Sequence, residues 1–352
     1  GTVMVKDIYS GSDNSNPSEL TVIDTTLYFR ANDGTNGEEL WKSDGDSLST
    51  VMVKDINSET GGTGNSNPTF LIELGDMLYF RANDGTNGHE LWKSDGTSSG
   101  TVMVKDIYSG QPGSAPGYLT AVGSTLYFSA YDGSNGTELW KSDGTSSGTV
   151  MVKDINSGSG EGSSPNYLTA VGSTLYFMAS DGTNGYELWK SDGTANGTVM
   201  VKDIYSGASS SNLDHLTAVG STLYFQASDG TNGKELWKSD GTSSGTVMVK
   251  DINSGSTDSV PDHLTEVGST LYFSANDGTN GLELWKSDGT SSGTVMVKDI
   301  NSGSTGQTLE FLTAVGSTLY FRADDGTNGA ELWKSDGTSS GTVMVKDINS
   351  GS

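Results

Sequence analysis

One octapeptide constrains this chain more than any other feature. It is clearest as Glu283-Leu284-Trp285-Lys286-Ser287-Asp288-Gly289-Thr290, and it recurs seven times. Its tryptophans, Trp41, Trp92, Trp140, Trp189, Trp237, Trp285 and Trp333, are the only seven in the chain, and they stand 51, 48, 49, 48, 48 and 48 residues apart. A fixed period of roughly 40 to 50 residues marks a repeat architecture and fits the blades of a propeller. A unit of that size is too small to bury a core of its own, so neighbouring units must stack on one another. Residues 1–352 therefore read as one domain, not seven.

Repeat six serves as the template. His263-Leu264-Thr265-Glu266-Val267 reads as a short strand, a, and Gly268-Ser269 as a tight turn into strand b, Thr270 to Ala275. Asp277-Gly278-Thr279-Asn280-Gly281 is a hairpin loop with two glycines available for positive φ. Leu282 to Lys286 is strand c, Ser287 to Gly293 turns the chain, and Thr294 to Ile300 is strand d. No stretch shows helical spacing of apolar residues. The runs Leu-Tyr-Phe in b and Val-Met-Val in d are continuous, which implies burial on both faces of the sheet. A propeller supplies such burial by sandwiching each blade between two others. The expected fold is all-β, a seven-bladed β-propeller of four-stranded antiparallel blades. Each tryptophan is expected at a blade contact, stabilising it by roughly 2–3 kcal/mol.

Strand d has one copy too many. Strands a, b and c occur seven times, but d occurs eight times, first over residues 1–8 and last over residues 342–348. One terminal copy is surplus: an unpaired edge, a fifth strand, a strand given to another molecule, or a ragged end of a longer array.

The repeats carry a resemblance. The chain resembles bacterial ELWxxDGT-repeat proteins, secreted proteins with tandem Glu-Leu-Trp-x-x-Asp-Gly-Thr units, and the match runs along essentially the whole chain. The resemblance implies a propeller-like fold and a secreted or surface setting, and it carries no catalytic residues to transfer. Repeat one departs from the pattern at Asp44-Gly45-Asp46-Ser47-Leu48-Ser49-Thr50, where a looser turn is expected.

Composition excludes several function classes. The net charge is −25, and the 19 basic residues are mostly tied to the repeat, as the Lys of Trp-Lys or of Val-Lys-Asp. A nucleic-acid partner needs clustered surplus positive charge, so none is expected. The acidic surface suits extracellular or cell-surface conditions, or serves solubility alone. There is no cysteine, hence no disulfide and no thiolate metal site. No apolar run is long enough to insert into a membrane as a helix. The chain opens inside a repeat at Gly1, as expected of a processed product or of a piece of a longer chain.

Candidate site residues come from positions that vary between copies. The residue before the Leu of strand a is Glu19, Phe70, Tyr118, Tyr167, His215, His263 or Phe311. The six from Phe70 onward are candidate ligand-binding residues, able to stack on sugar rings or to pack the start of the strand. The d-to-a connections, which differ between copies, share one end of the blade with the Asp-Gly-Thr-Asn-Gly loops and are the expected binding face, unless they drift for want of constraint. Asp277, Asn280 and Glu283 raise calcium as a possible ligand, against the reading that Asp-Gly and Asn-Gly are ordinary turn formers. Asp44, Asp95, Asp143, Asp192, Asp240, Asp288 and Asp336 are read as turn residues that bond backbone N–H groups of their own turn, in a motif resembling the Asp-box of sialidase propellers. Glu283 and Lys298 are expected to pair across strands c and d.

No enzyme constellation appears. The three histidines are His89, His215 and His263, and none is matched to a unique nucleophile. The expected function is a non-enzymatic extracellular binding or adhesion scaffold for glycans or surface polymers, without a cofactor. The alternative is a structural subunit of a filament or assembly, self-associating by exchange of the surplus strand.

Overall fold

A computed structural model describes residues 1–58, 64–158, 160–303 and 309–348. The variable connections at residues 59–63 and 304–308 lie outside the described residues. The fold is all-β, a β-propeller of seven four-stranded antiparallel blades, each made of four consecutive strands ordered a-b-c-d across the sheet. In blade six they are Asp262–Val267, Thr270–Asn276, Leu282–Ser287 and Val295–Lys298. Strand d is shorter than its apolar run suggested because both ends bond elsewhere. The Thr294 hydroxyl lies 2.7 Å from Ser287 Oγ and 2.7 Å from the Thr290 carbonyl, inside the turn. The Ile300 amide leaves the ladder and donates to Glu283 Oε2 at 2.8 Å.

The chain divides into two compact units, residues 1–168 with 193–198, and residues 169–192 with 199–352. Within each, the blades have two unlike apolar faces. Alternation along strand b puts Leu, Phe and Ala on one side and Tyr on the other. The pairing of Phe80 with Trp92 then sets the tryptophan beside the Phe face. In the first unit, Tyr28, Leu40, Val53 and Ile56 of blade one pack on Leu78, Phe80, Ala82 and Trp92 of blade two. In the second, Tyr224, Leu236, Val249 and Ile252 of blade five pack on Leu271, Phe273, Ala275 and Trp285 of blade six. All seven tryptophans are between 5% and 7% exposed. The run Leu126-Tyr127-Phe128 is buried on both faces, but Val247 of strand d is 37% exposed because d is the outer edge of its sheet.

Polar links repeat with the apolar ones. Lys250 Nζ donates to the Thr294 carbonyl of the next blade at 2.8 Å and lies 5.7 Å from the Trp285 ring centroid. Lys238 Nζ donates to the Gly289 carbonyl at 2.8 Å. Gly289 has φ +84°, and a Cβ there would meet the Tyr224 hydroxyl, so the Asp-Gly of the octapeptide is set by both backbone and neighbour. The expected Glu283–Lys298 pair does not form. Lys298 stands opposite Leu284, and its Nζ reaches the Thr342 carbonyl of blade seven at 2.8 Å.

The chain's first and last d segments differ. Val343–Lys346 pairs with strand c of its own blade, with Leu332 opposite Lys346. Residues 1–8 form no outer strand and belong to no sheet. They still dock as their residues dictate. Lys6 Nζ donates to the Thr50 carbonyl at 2.7 Å, as Lys54 does to Thr101 at 2.8 Å, and Ile8 packs with Phe29, Ala31 and Trp41. In blade seven the Tyr-side face is uncovered: Leu332 is 43% and Ile348 75% exposed, where Leu284 and Ile300 are 0% and 9%.

Candidate functional site

The residues that open strand a are strained. Glu19, Phe70, Tyr118, Tyr167, His215, His263 and Phe311 all have φ between +52° and +57°. Bulky residues occupy this left-handed region only when their surroundings compel it, and such positions gather at functional sites. In six blades the a–b ladder slips here, for example between Asp262 and Thr265, so the residue sits in a β-bulge that re-aims its side chain. Where the residue two positions on is Thr, it can hold the bulge. Thr120 Oγ1 meets the Tyr118 carbonyl and the Leu168 carbonyl of blade four, both at 3.1 Å. Thr265 Oγ1 meets the carbonyls of His263 and Leu312 in the same way.

In the first unit the bulges bring aromatic rings into a row. The ring centroids of Phe70 and Tyr118 are 6.4 Å apart, and those of Tyr118 and Tyr167 are also 6.4 Å apart, tilted by 40° and 50°. The three residues are 38–44% exposed. Arg81 lies 5.0 Å from the Phe70 centroid, and Glu19 Oε2 accepts the Phe70 amide at 3.1 Å. In the second unit the row is polar. His215 Nε2 is 3.2 Å from Asp262 Oδ1, His263 Nδ1 is 3.8 Å from the same oxygen, and Phe311 is 72% exposed. Asp262, His263, Ser274 and Glu310 line a cleft of about 240 Å³ there. The His89 imidazole is held below the usual range by burial and then by Arg81.

The octapeptide's glutamate has a role that charge patterning conceals. Glu39, Glu90, Glu138, Glu187 and Glu235 are fully buried. Glu235 accepts the Ile252 amide at 2.8 Å, the Ser259 amide at 3.1 Å and the Ser259 hydroxyl at 2.7 Å. It therefore ties strand c to the connection that leads into the next blade. Burial pushes Glu39, Glu187, Glu235 and Glu283 up to about 7, and the donors around them pull back only part of the way. The nearest sequence signal is the Glu immediately before Leu-Trp in every copy, which reads as a surface charge until its burial is seen.

The turn aspartates do what their local chemistry requires. Asp288 Oδ1 accepts the Thr290 amide at 2.8 Å and its hydroxyl at 2.7 Å, which hold the carboxyl below the usual range. Asp95, Asp143, Asp240 and Asp336 repeat this, and Asp192 sits in the equivalent turn. Repeat one is the exception, though its turn is not left loose. Asp44 Oδ1 accepts the Thr26 hydroxyl, while Asp46 accepts the Leu48 and Ser49 amides, both at 2.8 Å. In the b–c loops, Asp277 Oδ1 accepts the Thr279 and Asn280 amides and Oδ2 accepts Asn280 Nδ2. Its oxygens are thus committed to the loop, and no group of three or more His, Asp or Glu among the described residues is arranged to hold a metal ion.

No protein-family description and no curated protein matches the sequence. Solved structures match in fold. Puromycin hydrolase matches at 12% identity and a TM-score of 0.51, over 97% of this chain and 55% of its own. Oligopeptidase B from Leishmania major matches at 13% and 0.55, over 95% and 49%. A prolyl endopeptidase matches at 14% and 0.53, over 94% and 49%. This chain spans about half the length of these enzymes. The likeness counts against the expected non-enzymatic binding or adhesion scaffold, because these matched proteins are peptidases.

Proposed function

We propose that this chain is the propeller part of a peptidase-type machine. It handles polypeptide and leaves bond cleavage to a catalytic unit it does not contain. One observation carries this reading: the likeness to peptidases runs over 94–97% of this chain and only about half of theirs. The residues support the same division. Peptide cleavage by a side-chain nucleophile needs that nucleophile beside a base. Ser274 shares a cleft with His263, yet it is fully buried and its hydroxyl donates to the Asp262 carbonyl at 3.4 Å. Ser129 makes the corresponding bond to Gly117 with no histidine near the register, so this serine serves the bulge. Both imidazoles turn to Asp262 instead.

The test is incubation of the purified chain with a mixed pool of unstructured peptides, read by mass spectrometry for retention and for new termini. Retained, uncut peptides are expected. Cleavage by the purified chain would refute the division of labour, and a pool that passes unretained would refute the handling of polypeptide.

A further inference from the structure

We propose that Phe70, Tyr118 and Tyr167 form a rail for an extended polypeptide with apolar side chains at alternate positions. The setting rests on the polypeptide-handling reading above, and the ligand class comes from the geometry. Successive ring centroids are 6.4 Å apart. An extended chain repeats on one face every two residues, about 6.4–6.8 Å. Side chains i and i+2 of such a chain therefore fall in step with successive gaps between the rings.

The tilt of the rings selects what enters those gaps. At 40° and 50° the rings make open V-shaped slots, not the coplanar platform on which a sugar ring lies flat. An aliphatic or proline side chain can enter the open mouth of such a slot and meet both rings. The rungs are preorganised, since each sits at φ between +52° and +57°, and Thr120 brackets the Tyr118 carbonyl and the Leu168 carbonyl beside Tyr167. Rigid rungs lose little freedom on binding, which favours recognition. Their present exposure of 38–44% leaves aromatic surface for a ligand to cover. The net charge of −25 draws cationic peptides and repels acidic ones.

The experiment is fluorescence anisotropy with two labelled peptides of equal composition and about ten residues, one alternating Leu with Ser and Lys, the other grouping its Leu in a block. The alternating peptide is expected to bind more tightly. Tyr118→Ser is expected to weaken it about tenfold or more, and Tyr118→Phe to keep it within about threefold. Tyr118 is half-exposed, so an unchanged thermal midpoint certifies the fold of both variants. Equal binding of the two peptides, or unchanged binding by Tyr118→Ser, would overturn the rail while leaving the wider reading intact if the peptide pool is still retained. A linear glucan oligosaccharide that displaces the peptide would overturn the ligand class. If neither peptide nor pool binds, rail and wider reading fall together.

Discussion

Glu235 shows what one residue can do when it is buried seven-fold by repetition. Its carboxylate accepts the Ile252 amide, and it also takes both donors of Ser259. Glu235→Ala is expected to destabilise the protein by about 1–3 kcal/mol, because a buried N–H loses its acceptor. Chemical denaturation gives the size, and faster exchange of the Ile252 and Ser259 amides gives the location. The raised pKa values add a pH dependence. Glu39, Glu187, Glu235 and Glu283 sit at about 7 in the fold against an ordinary 4.5, so the folded state binds these protons more tightly. Their stabilising contribution is complete below about pH 4.5 and is lost as the pH rises through about 7. Asp277 and its loop equivalents run the other way. Burial pushes them up, the Asn280 and Thr279 donors outweigh it, and their contribution is lost as the pH falls through their lowered values. The thermal midpoint is therefore expected to be higher at about pH 5 than at about pH 8, and to fall again in stronger acid. A midpoint that rises toward pH 8 would contradict this, and Glu235→Gln should flatten the alkaline limb.

At the scale of elements, the lysines of Val-Lys-Asp act as clasps between blades. Lys250→Met keeps the stem against Trp285 but removes the charged donor to the Thr294 carbonyl, and is expected to cost about 1–3 kcal/mol in urea denaturation. The same change at Lys234, which is only half-buried and outside the repeat pattern, should fall within about 0.5 kcal/mol. Much of this scale is legible from the sequence. Leu-Tyr-Phe declares strand b because its neighbours are turns, and Asp288 declares its turn because its partners lie two residues away. What stays hidden depends on distant partners. Strand d reads too long because Thr294 and Ile300 bond outside their ladder, to Ser287 and Glu283. Nothing local separates Tyr118, at φ +56°, from Tyr127 in a regular strand, so the bulges and the spacing of the aromatic rail are invisible until the blades are stacked. Glu283 looks like a partner for Lys298 because both are charged and near in sequence, and only the register assigns them to different tasks.

For the molecule as a whole, the repetition provides its own control. Ile252 and Ile348 occupy the same place in the repeat, yet one is 6% and the other 75% exposed. Ile252→Ala is expected to cost about 2–5 kcal/mol, and Ile348→Ala less than about 0.5 kcal/mol, by denaturant titration of both variants. Near-equal costs would show that the Tyr-side face of blade seven is covered in solution. The sevenfold count of blades can be read from the tryptophans. Which copy of strand d enters a sheet cannot, because residues 1–8 and 342–348 are nearly the same sequence and only the pairing of Leu332 with Lys346 tells them apart.

The likeness of one blade junction to the next has a genetic corollary. Tyr, Leu, Val and Ile meet Leu, Phe, Ala and Trp at each described junction, so a duplication or excision of one 48-residue period joins surfaces that already fit. Unequal recombination within such a gene can change the number of copies without first inventing a new contact.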